Sequence, residues 1–135
     1  MPTAIGGYVL DVAALVGACR RHPYPEAVVW GTVLTDGVIV VPAAVLAEAR
    51  ARIPVSGTDI LEAILGLPNT VIVDLDPVGA DRCGVLLSRL TDDEREKVSA
   101  AQATAEAISR GWPVATDRGS LLNRLDPEAD VDQLP

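Results

Sequence analysis

The chain has 135 residues, 49% of them hydrophobic, which suits one domain with a substantial buried core. Its 19 acidic and 11 basic side chains give a net charge of -8, which excludes a protein that coats nucleic acid by charge alone. Its uncharged stretches are shorter than the roughly 20 apolar residues of a membrane span, and no basic secretion signal precedes them, so we expect a cytoplasmic protein without a membrane segment.

Hydrophobic runs separated by turn residues predict strands that alternate with helices. In chain order we predict a strand at 8–10, helices at 12–20 and 26–34, a strand at 38–41, helices at 43–52 and from 56 or 58 to 65, and a strand at 70–73. A helix from 76 or 77 to about 90, a helix over 91–110, a strand at 112–116 and a short helix at 120–125 follow.

The alternation predicts a three-layer α/β/α sandwich around a short parallel sheet. The long helix at 91–110 begins with the Thr-x-x-Glu spacing of a capping box at Thr91 and Glu94 and stops at Gly111. We expect the folded domain to cover residues 1–125. The segment 126–135 is acidic and contains two prolines, which predicts a loosely ordered tail.

Asp11 is an isolated carboxylate at a predicted junction between a strand and a helix. Apolar residues flank it on both sides, at 8–10 and at 12–16. Burying an unpaired carboxylate is costly, so Asp11 needs a partner. The candidate partner is a cation that other carboxylates share.

Two further acids occupy comparable positions. Asp117 follows the last predicted strand of the folded domain, and Glu48 is the only acid in an otherwise apolar helix before Arg50. Ligand sites of parallel sheets lie beyond the carboxyl ends of the strands, and oxygen ligands suit Mg²⁺ and Mn²⁺. Each acid alone also fits an exposed or structurally paired role, so only their joint placement predicts a metal site.

Three motifs together carry a family resemblance. They are the strand 8–10 followed by Asp11, the segment 40–48 that ends in Glu48, and the Ala-rich helix that ends in Gly111 and leads into 112–117. From about residue 8 to residue 125 the chain resembles a PIN domain, and more narrowly it is similar to the VapC-like toxins of type II toxin–antitoxin pairs.

The resemblance implies a PIN-like domain with the activity of a Mg²⁺- or Mn²⁺-dependent endoribonuclease. It also implies an RNA substrate, a homodimer and a cognate antitoxin protein as inhibitor. Carried over position by position, it assigns Asp11, Asp117 and Glu48 to the metal and adds Thr116 to the catalytic residues. Asp11 and Asp117 are the expected direct ligands. Glu48 would act through water or orient the nucleophile, and Thr116 would supply a supporting hydrogen bond.

The chain departs from the family pattern at two places. The position of the family's fourth acid, counted back from Gly111, is Ala100. The first acid is followed by Val12 and Ala13, where many relatives have a polar side chain soon after it.

Glu96 is a possible metal ligand in place of the missing acid. On a continuous helix it would lie one turn before Ala100 on the same face. The acids around it also suit the favourable charge of a helix N-terminus, which is a structural role. Ser99 and Gln102 are the other candidates, through a water molecule.

Two functions therefore stay open. The first is a metal-dependent ribonuclease toxin of the PIN type. The second is a catalytically impaired PIN-fold binding module for RNA or for a protein partner, which the alanine at position 100 suggests. A metal-dependent phosphatase fits less well, because Asp11 lacks the second acid of an Asp-x-Asp arrangement.

An RNA partner requires positive side chains for its phosphates. The cations nearest in sequence to the predicted site are Arg20, Arg21, Arg50, Arg52 and Arg118. The mean hydropathy of +0.28 is high for so small a chain and predicts apolar surface that a dimer or another partner covers.

Overall fold

The computed structural model describes residues 6–135, so the absence of a secretion signal, which depends partly on residues 1–5, lies outside it. Its strands are β1 (Gly7–Leu10), β2 (Val38–Pro42), β3 (Thr70–Val73), β4 (Val114–Thr116) and β5 (Val131–Gln133). Its α-helices are α1 (Val12–Cys19), α2 (Pro23–Leu34), α3 (Ala43–Arg52), α4 (Thr58–Leu65), α5 (Pro77–Leu87), α6 (Val98–Arg110) and α7 (Gly119–Leu125), and short 3₁₀ turns lie at Val55–Gly57 and Asp92–Glu94.

The strands form one parallel sheet in the order β3-β2-β1-β4-β5. Its centre is built from β-branched and aliphatic residues such as Val9, Leu10 and Val40, which have no exposed surface. From β1 the chain adds β2 and β3 on one side of the sheet and later β4 and β5 on the other side. Right-handed connections therefore place the helices of these two halves on opposite faces of the sheet.

The helices accordingly form two layers. On one face α1 contacts α2, α3 and α4, and on the other α6 contacts α5 and α7. This arrangement confirms the predicted three-layer α/β/α sandwich with a parallel sheet. No helix within residues 6–135 has the length and apolarity to cross a membrane.

The predicted helix over 91–110 is wrong in its first third. The Thr91 hydroxyl donates to the carboxylates of Asp93 at 2.6 Å and Glu94 at 3.0 Å and caps no backbone N–H, so the capping box does not form. A 3₁₀ turn occupies Asp92–Glu94, and the α-helix begins only at Val98.

The end of the chain also differs from the expected loose tail. Strand β5 lies within 126–135 and pairs in parallel with β4, from Val114 opposite Val131 to Thr116 opposite Gln133. Leu134, just beyond the strand, is buried and belongs to the hydrophobic core. The two prolines flank this strand and do not interrupt it, which is why local composition misses it.

Candidate functional site

The candidate site lies where the carboxyl ends of β1 and β4 meet. The chain leaves β1 in one direction along the sheet and reaches β4 in the other, so these neighbouring strands flank the topological switch point. Ligand sites of parallel α/β sheets lie at such points. Asp11 follows β1 directly, and Thr116 ends β4.

Asp11 is fully buried, and both of its carboxylate oxygens have partners. Oδ1 accepts hydrogen bonds from the backbone N–H of Val12 at 2.9 Å and from Arg118 Nη2 at 2.8 Å. Oδ2 accepts from Thr116 Oγ1 at 2.7 Å and from Arg118 Nε at 2.8 Å. Asp11 is thus the N-cap of α1 and one half of a bidentate ion pair.

Arg118 is therefore the cationic partner that the buried position of Asp11 requires. Burial by itself would lower the pKa of the Arg118 guanidinium, but the hydrogen bonds and charge of Asp11, together with the charges of Glu48 and Asp117, raise it above its ordinary value. The guanidinium stays protonated, and three carboxylates stabilise its charge.

Ser99 links this ion pair to Glu48. Its hydroxyl accepts a hydrogen bond from Arg118 Nη2 at 2.9 Å and donates to Glu48 Oε1 at 2.7 Å. The Glu48 side chain is 39% exposed, and its second oxygen lies 3.8 Å from Arg52 Nη2. Asp11, Arg118, Ser99 and Glu48 form one continuous network, which we call the carboxylate cluster.

The structure places the other predicted site residues outside direct contact with Asp11. Asp117 is exposed, and within residues 6–135 its side chain makes no hydrogen bond or ion pair. Glu96 is also exposed and precedes the start of α6, so the continuous helix that would place it on the face of Ala100 is absent.

Ala100 is fully buried in the hydrophobic core, and the preceding residue enters the cluster instead. Ser99 is 1% exposed and lies in the first turn of α6. The side chain that meets Arg118 and Glu48 from this helix is therefore a hydroxyl. Gln102, the other candidate, links α3 to the end of β3. Its Oε1 accepts from the Ala44 N–H at 2.9 Å, and its Nε2 donates to the Val73 carbonyl at 3.1 Å.

The residues of the cluster do not fit a divalent cation. Four hydrogen bonds from Val12, Thr116 and Arg118 take up the acceptor capacity of the Asp11 carboxylate. A guanidinium lies where a metal ion would have to approach. In the part of the chain from 6 to 135, no three His, Cys, Asp or Glu side chains are grouped to hold a metal ion.

A basic groove adjoins the cluster beside α1. Its volume is about 470 Å³. Apolar residues of the first turns of α1 form part of its lining, and its polar lining residues are Arg20, His22 and Arg52. Arg20 Nη2 donates to the Arg52 carbonyl at 3.1 Å, which ties the end of α1 to the end of α3. On a chain of net charge -8, this groove concentrates positive charge next to the site.

Sequence reasoning missed the role of Arg118 as a partner of Asp11 and the direct role of Ser99. From its place in the sequence, Arg118 is expected only to contact phosphates. No local pattern in the sequence points to its actual role, because β4 ends at Thr116 and the chain bends at Asp117. The Arg118 N–H donates to Thr116 Oγ1 at 3.0 Å, and within this bend the side chains of Thr116 and Arg118 both contact Asp11, whereas Asp117 is exposed.

The comparisons with known proteins bear on the fold. No family model matches the chain, and no curated protein matches it. A chain of the VapBC2 complex from Rickettsia felis, solved in a crystal bound to a DNA fragment from their promoter, is similar with a TM-score of 0.68 and 18% sequence identity. The match covers 96% of this chain and 99% of that chain. The match shows that the two chains share a fold, which agrees with the PIN-like three-layer fold expected from the sequence.

Proposed function

We propose that this chain is a PIN-fold binding module that holds RNA without metal-dependent cleavage. The observation that carries the proposal is the bidentate ion pair between Arg118 and Asp11, with both contacts at 2.8 Å. An Asp11 whose acceptor positions are all taken has no lone pair left for a metal ion. A nuclease site of this kind would need that ion to activate water and to neutralise charge on the phosphate.

The basic groove supports RNA as the bound partner. Arg20, Arg52 and His22 line it and are exposed, so the two arginine charges can contact phosphates. Because the rest of the chain is acidic, the groove would also orient an approaching polyanion toward the carboxyl end of the sheet.

A cleavage assay tests the catalytic half of the proposal. Purified protein is incubated with single-stranded RNA of mixed sequence in Mn²⁺, in Mg²⁺ or in EDTA, alongside the Asp11→Asn variant. We expect intact RNA at the same level in every sample. Cleavage that requires Mn²⁺ or Mg²⁺ and disappears in Asp11→Asn would overturn the proposal.

A binding assay tests the other half. Fluorescence anisotropy with the same RNA measures affinity over a range of salt concentrations, for the wild type and for Arg20→Gln/Arg52→Gln. We expect weaker binding by the double variant and a salt slope shallower by about 0.7 for each phosphate that is no longer neutralised. Arg82→Gln, on α5 and outside the groove, is the matched control and should bind as the wild type does.

We extend the proposal to a protein partner of the antitoxin kind. It is supported by the likeness to a chain of VapBC2, which was crystallised as a complex. The test is whether the reading frame next to this one encodes a small DNA-binding protein that co-purifies with the chain. A neighbouring protein of that kind that fails to bind would count against this extension.

The second candidate function is a metal-dependent ribonuclease toxin, and one observation favours it. Of the residues assigned by resemblance, Asp11 and Thr116 hydrogen-bond Arg118 directly and Glu48 is linked to it through Ser99, and the Arg118 side chain is 24% exposed there. This function requires the guanidinium to leave the cluster. The cleavage assay decides between the two candidates.

A further inference from the structure

Arg118 is held in the carboxylate cluster through its side chain by three hydrogen bonds. Its guanidinium donates to both oxygens of Asp11 at 2.8 Å and to the Ser99 hydroxyl at 2.9 Å. The planar fork of an arginine matches a carboxylate in this way, which a single ammonium does not. The charge of the buried Asp11 is thus compensated by the chain itself.

The backbone on either side of Arg118 is held as well. Thr116 Oγ1 accepts from the Arg118 N–H at 3.0 Å while it donates to Asp11. The Gln133 side chain spans the loop. Its Oε1 accepts from the Gly119 N–H at 3.0 Å, and its Nε2 donates to the Asp117 carbonyl at 3.0 Å. The residues before and after Arg118 are therefore both tied to one amide group of β5.

Gly119 lets this amide group approach so closely. A Cβ at Gly119 would lie 2.5 Å from Gln133 Oε1 and 2.5 Å from Val131 Cγ1. Any larger residue would force the side chains of Gln133 and Val131 to shift. Close packing of β5 on this turn thus depends on a glycine directly after Arg118.

The opposite side of β5 is anchored independently of the cluster. The Asp132 carboxylate accepts from the Tyr8 hydroxyl at 2.6 Å and from the Tyr24 hydroxyl at 2.7 Å. Asp132 and Gln133 are consecutive residues with separate partners. One residue fixes the strand to β1 and α2, and the other fixes the Arg118 loop to the strand.

We propose that Arg118 is the resident cation of the carboxylate cluster, in place of a divalent ion, and that Gln133 is the positioning residue that keeps it there. The inference rests on the proposed function, because it explains why the cluster would not use a metal. It goes further in assigning the neutralising charge to one side chain and the control of that side chain to the carboxyl-terminal strand.

A double-mutant cycle tests the role of Arg118 as counter-ion. Arg118→Met keeps an apolar stem but leaves Asp11 buried without its charge partner, so urea unfolding should show an unfolding constant larger by about 100-fold or more. In an Asp11→Asn background the same substitution should cost far less, because no buried charge is then left behind. Equal cost in both backgrounds would overturn the proposal.

The matched control for this cycle is Arg89→Met. Arg89 donates to the Leu125 carbonyl at 2.7 Å and makes no ion pair within residues 6–135. Its substitution should cost the same in the wild type and in Asp11→Asn. Coupling of Arg89 to Asp11 as strong as that of Arg118 would show that the cycle reports general weakening, and the proposal would fall.

Manganese binding, followed by the electron paramagnetic resonance signal of free Mn²⁺, separates this inference from the proposed function. We expect the wild type and Asp11→Asn to leave Mn²⁺ equally free. If the wild type binds Mn²⁺ and Asp11→Asn does not, Arg118 is not the resident cation of the cluster, even if the RNA stays uncut. Cleavage of RNA without uptake of Mn²⁺ at Asp11 would overturn the proposed function and leave the resident cation standing.

The positioning role of Gln133 is tested by the NMR signal of the Arg118 Nε–H, which donates to Asp11. We expect slow solvent exchange in the wild type and fast exchange in Gln133→Ala. Asp132→Asn, which weakens the neighbouring anchor of β5, is the control and should keep the slow exchange. Slow exchange in Gln133→Ala, or equally fast exchange in both variants, would overturn the assignment.

Discussion

Asp11 has no exposed surface, and its position between apolar runs made a cationic partner predictable. The residue type and the neighbourhood are local facts, so the need for a cation could be inferred from the sequence. The identity of that cation could not, because Arg118 is separated from Asp11 by 107 positions. Metal ligation by Asp11, Glu48 and Asp117 stays a prediction, and the ion pair with Arg118 competes with it.

Ser99 shows that counting positions along the sequence can select the wrong residue of a helix at a site of this kind. The count from Gly111 led to Ala100, one position beyond the side chain that faces the cluster. One residue on an α-helix corresponds to a rotation of about 100°, enough to replace a polar contact by a core position. The rotation of α6 about its axis relative to the sheet determines which residue faces the cluster, and the composition of the helix does not encode that rotation.

Glu94 provides a pH-dependent test at the residue scale. Hydrogen bonds from Arg124 and then from Thr91 lower the Glu94 pKa from 4.5 to about 2. A lowered pKa means that the contribution to stability is complete above pH 4.5 and is lost as the pH falls toward 2. We expect Arg124→Gln to destabilise the protein at neutral pH and the difference from wild type to shrink across this window.

Urea denaturation at a series of pH values measures that difference. Arg82→Gln is the control, because Arg82 makes no ion pair within the described residues 6–135. A difference between wild type and Arg124→Gln that stays constant as the solution is acidified would contradict the assignment of Glu94.

At the scale of elements, strands and most helices were predictable because their signals are local. β2 is a β-branched run, and α3 begins directly after Pro42. The predicted helix over 91–110 began too early because its first seven residues include six charged ones and only a capping pattern indicated helix. The β5 strand was missed because it has few apolar residues and forms only by pairing with β4, which is distant from any local pattern.

Gly111 provides a stability test at this scale. It ends α6 in the left-handed region, with φ 66° and ψ 32°, where a side chain is strained. We expect Gly111→Ala to lower the free energy of unfolding by about 1 kcal/mol or more, measured by urea denaturation.

Gly84 is the matched control because it lies inside α5, has no positive φ, and offers open space to an added Cβ. We expect Gly84→Ala to raise the free energy of unfolding by about 0.5–1 kcal/mol. If both substitutions changed stability in the same direction, the conformational argument for Gly111 would be wrong.

At the scale of the whole molecule, apolar side chains are exposed along one edge of the sheet and on a neighbouring helix. Val71 and Ile72 of the edge strand β3 are 39% and 44% exposed, and Val78 and Val85 of α5 are 69% and 60% exposed. Val78 and Val85 are seven positions apart and so share one face of the helix. Surface of this kind suits a partner.

We expect the chain to form a homodimer that covers these residues. Light scattering coupled to size exclusion should give twice the chain mass for the wild type, and a monomer for Val78→Glu/Val85→Glu, because two buried carboxylates would oppose association. Val55→Glu alters an equally apolar side chain, 93% exposed but outside β3 and α5, and should remain dimeric. A monomeric wild type would contradict the expectation.

The sequence by itself determined the alternation of strands and helices, the parallel three-layer fold and the buried acid at the end of β1. These features depend on short-range patterns of apolar residues, which the printed chain carries directly. The PIN resemblance followed from the same local motifs, and the likeness of the folded chain to a chain of VapBC2 agrees with it.

Only the tertiary structure decided which side chains meet at that acid. Arg118 reaches Asp11 because β4 lies beside β1 and because Gln133, at the far end of the chain, holds the turn that carries it. Such a meeting depends on strand register, helix phase and hydrogen bonds between distant segments. No local pattern contains these quantities, so the cation that the sequence called for could be recognised as an arginine only in the folded protein.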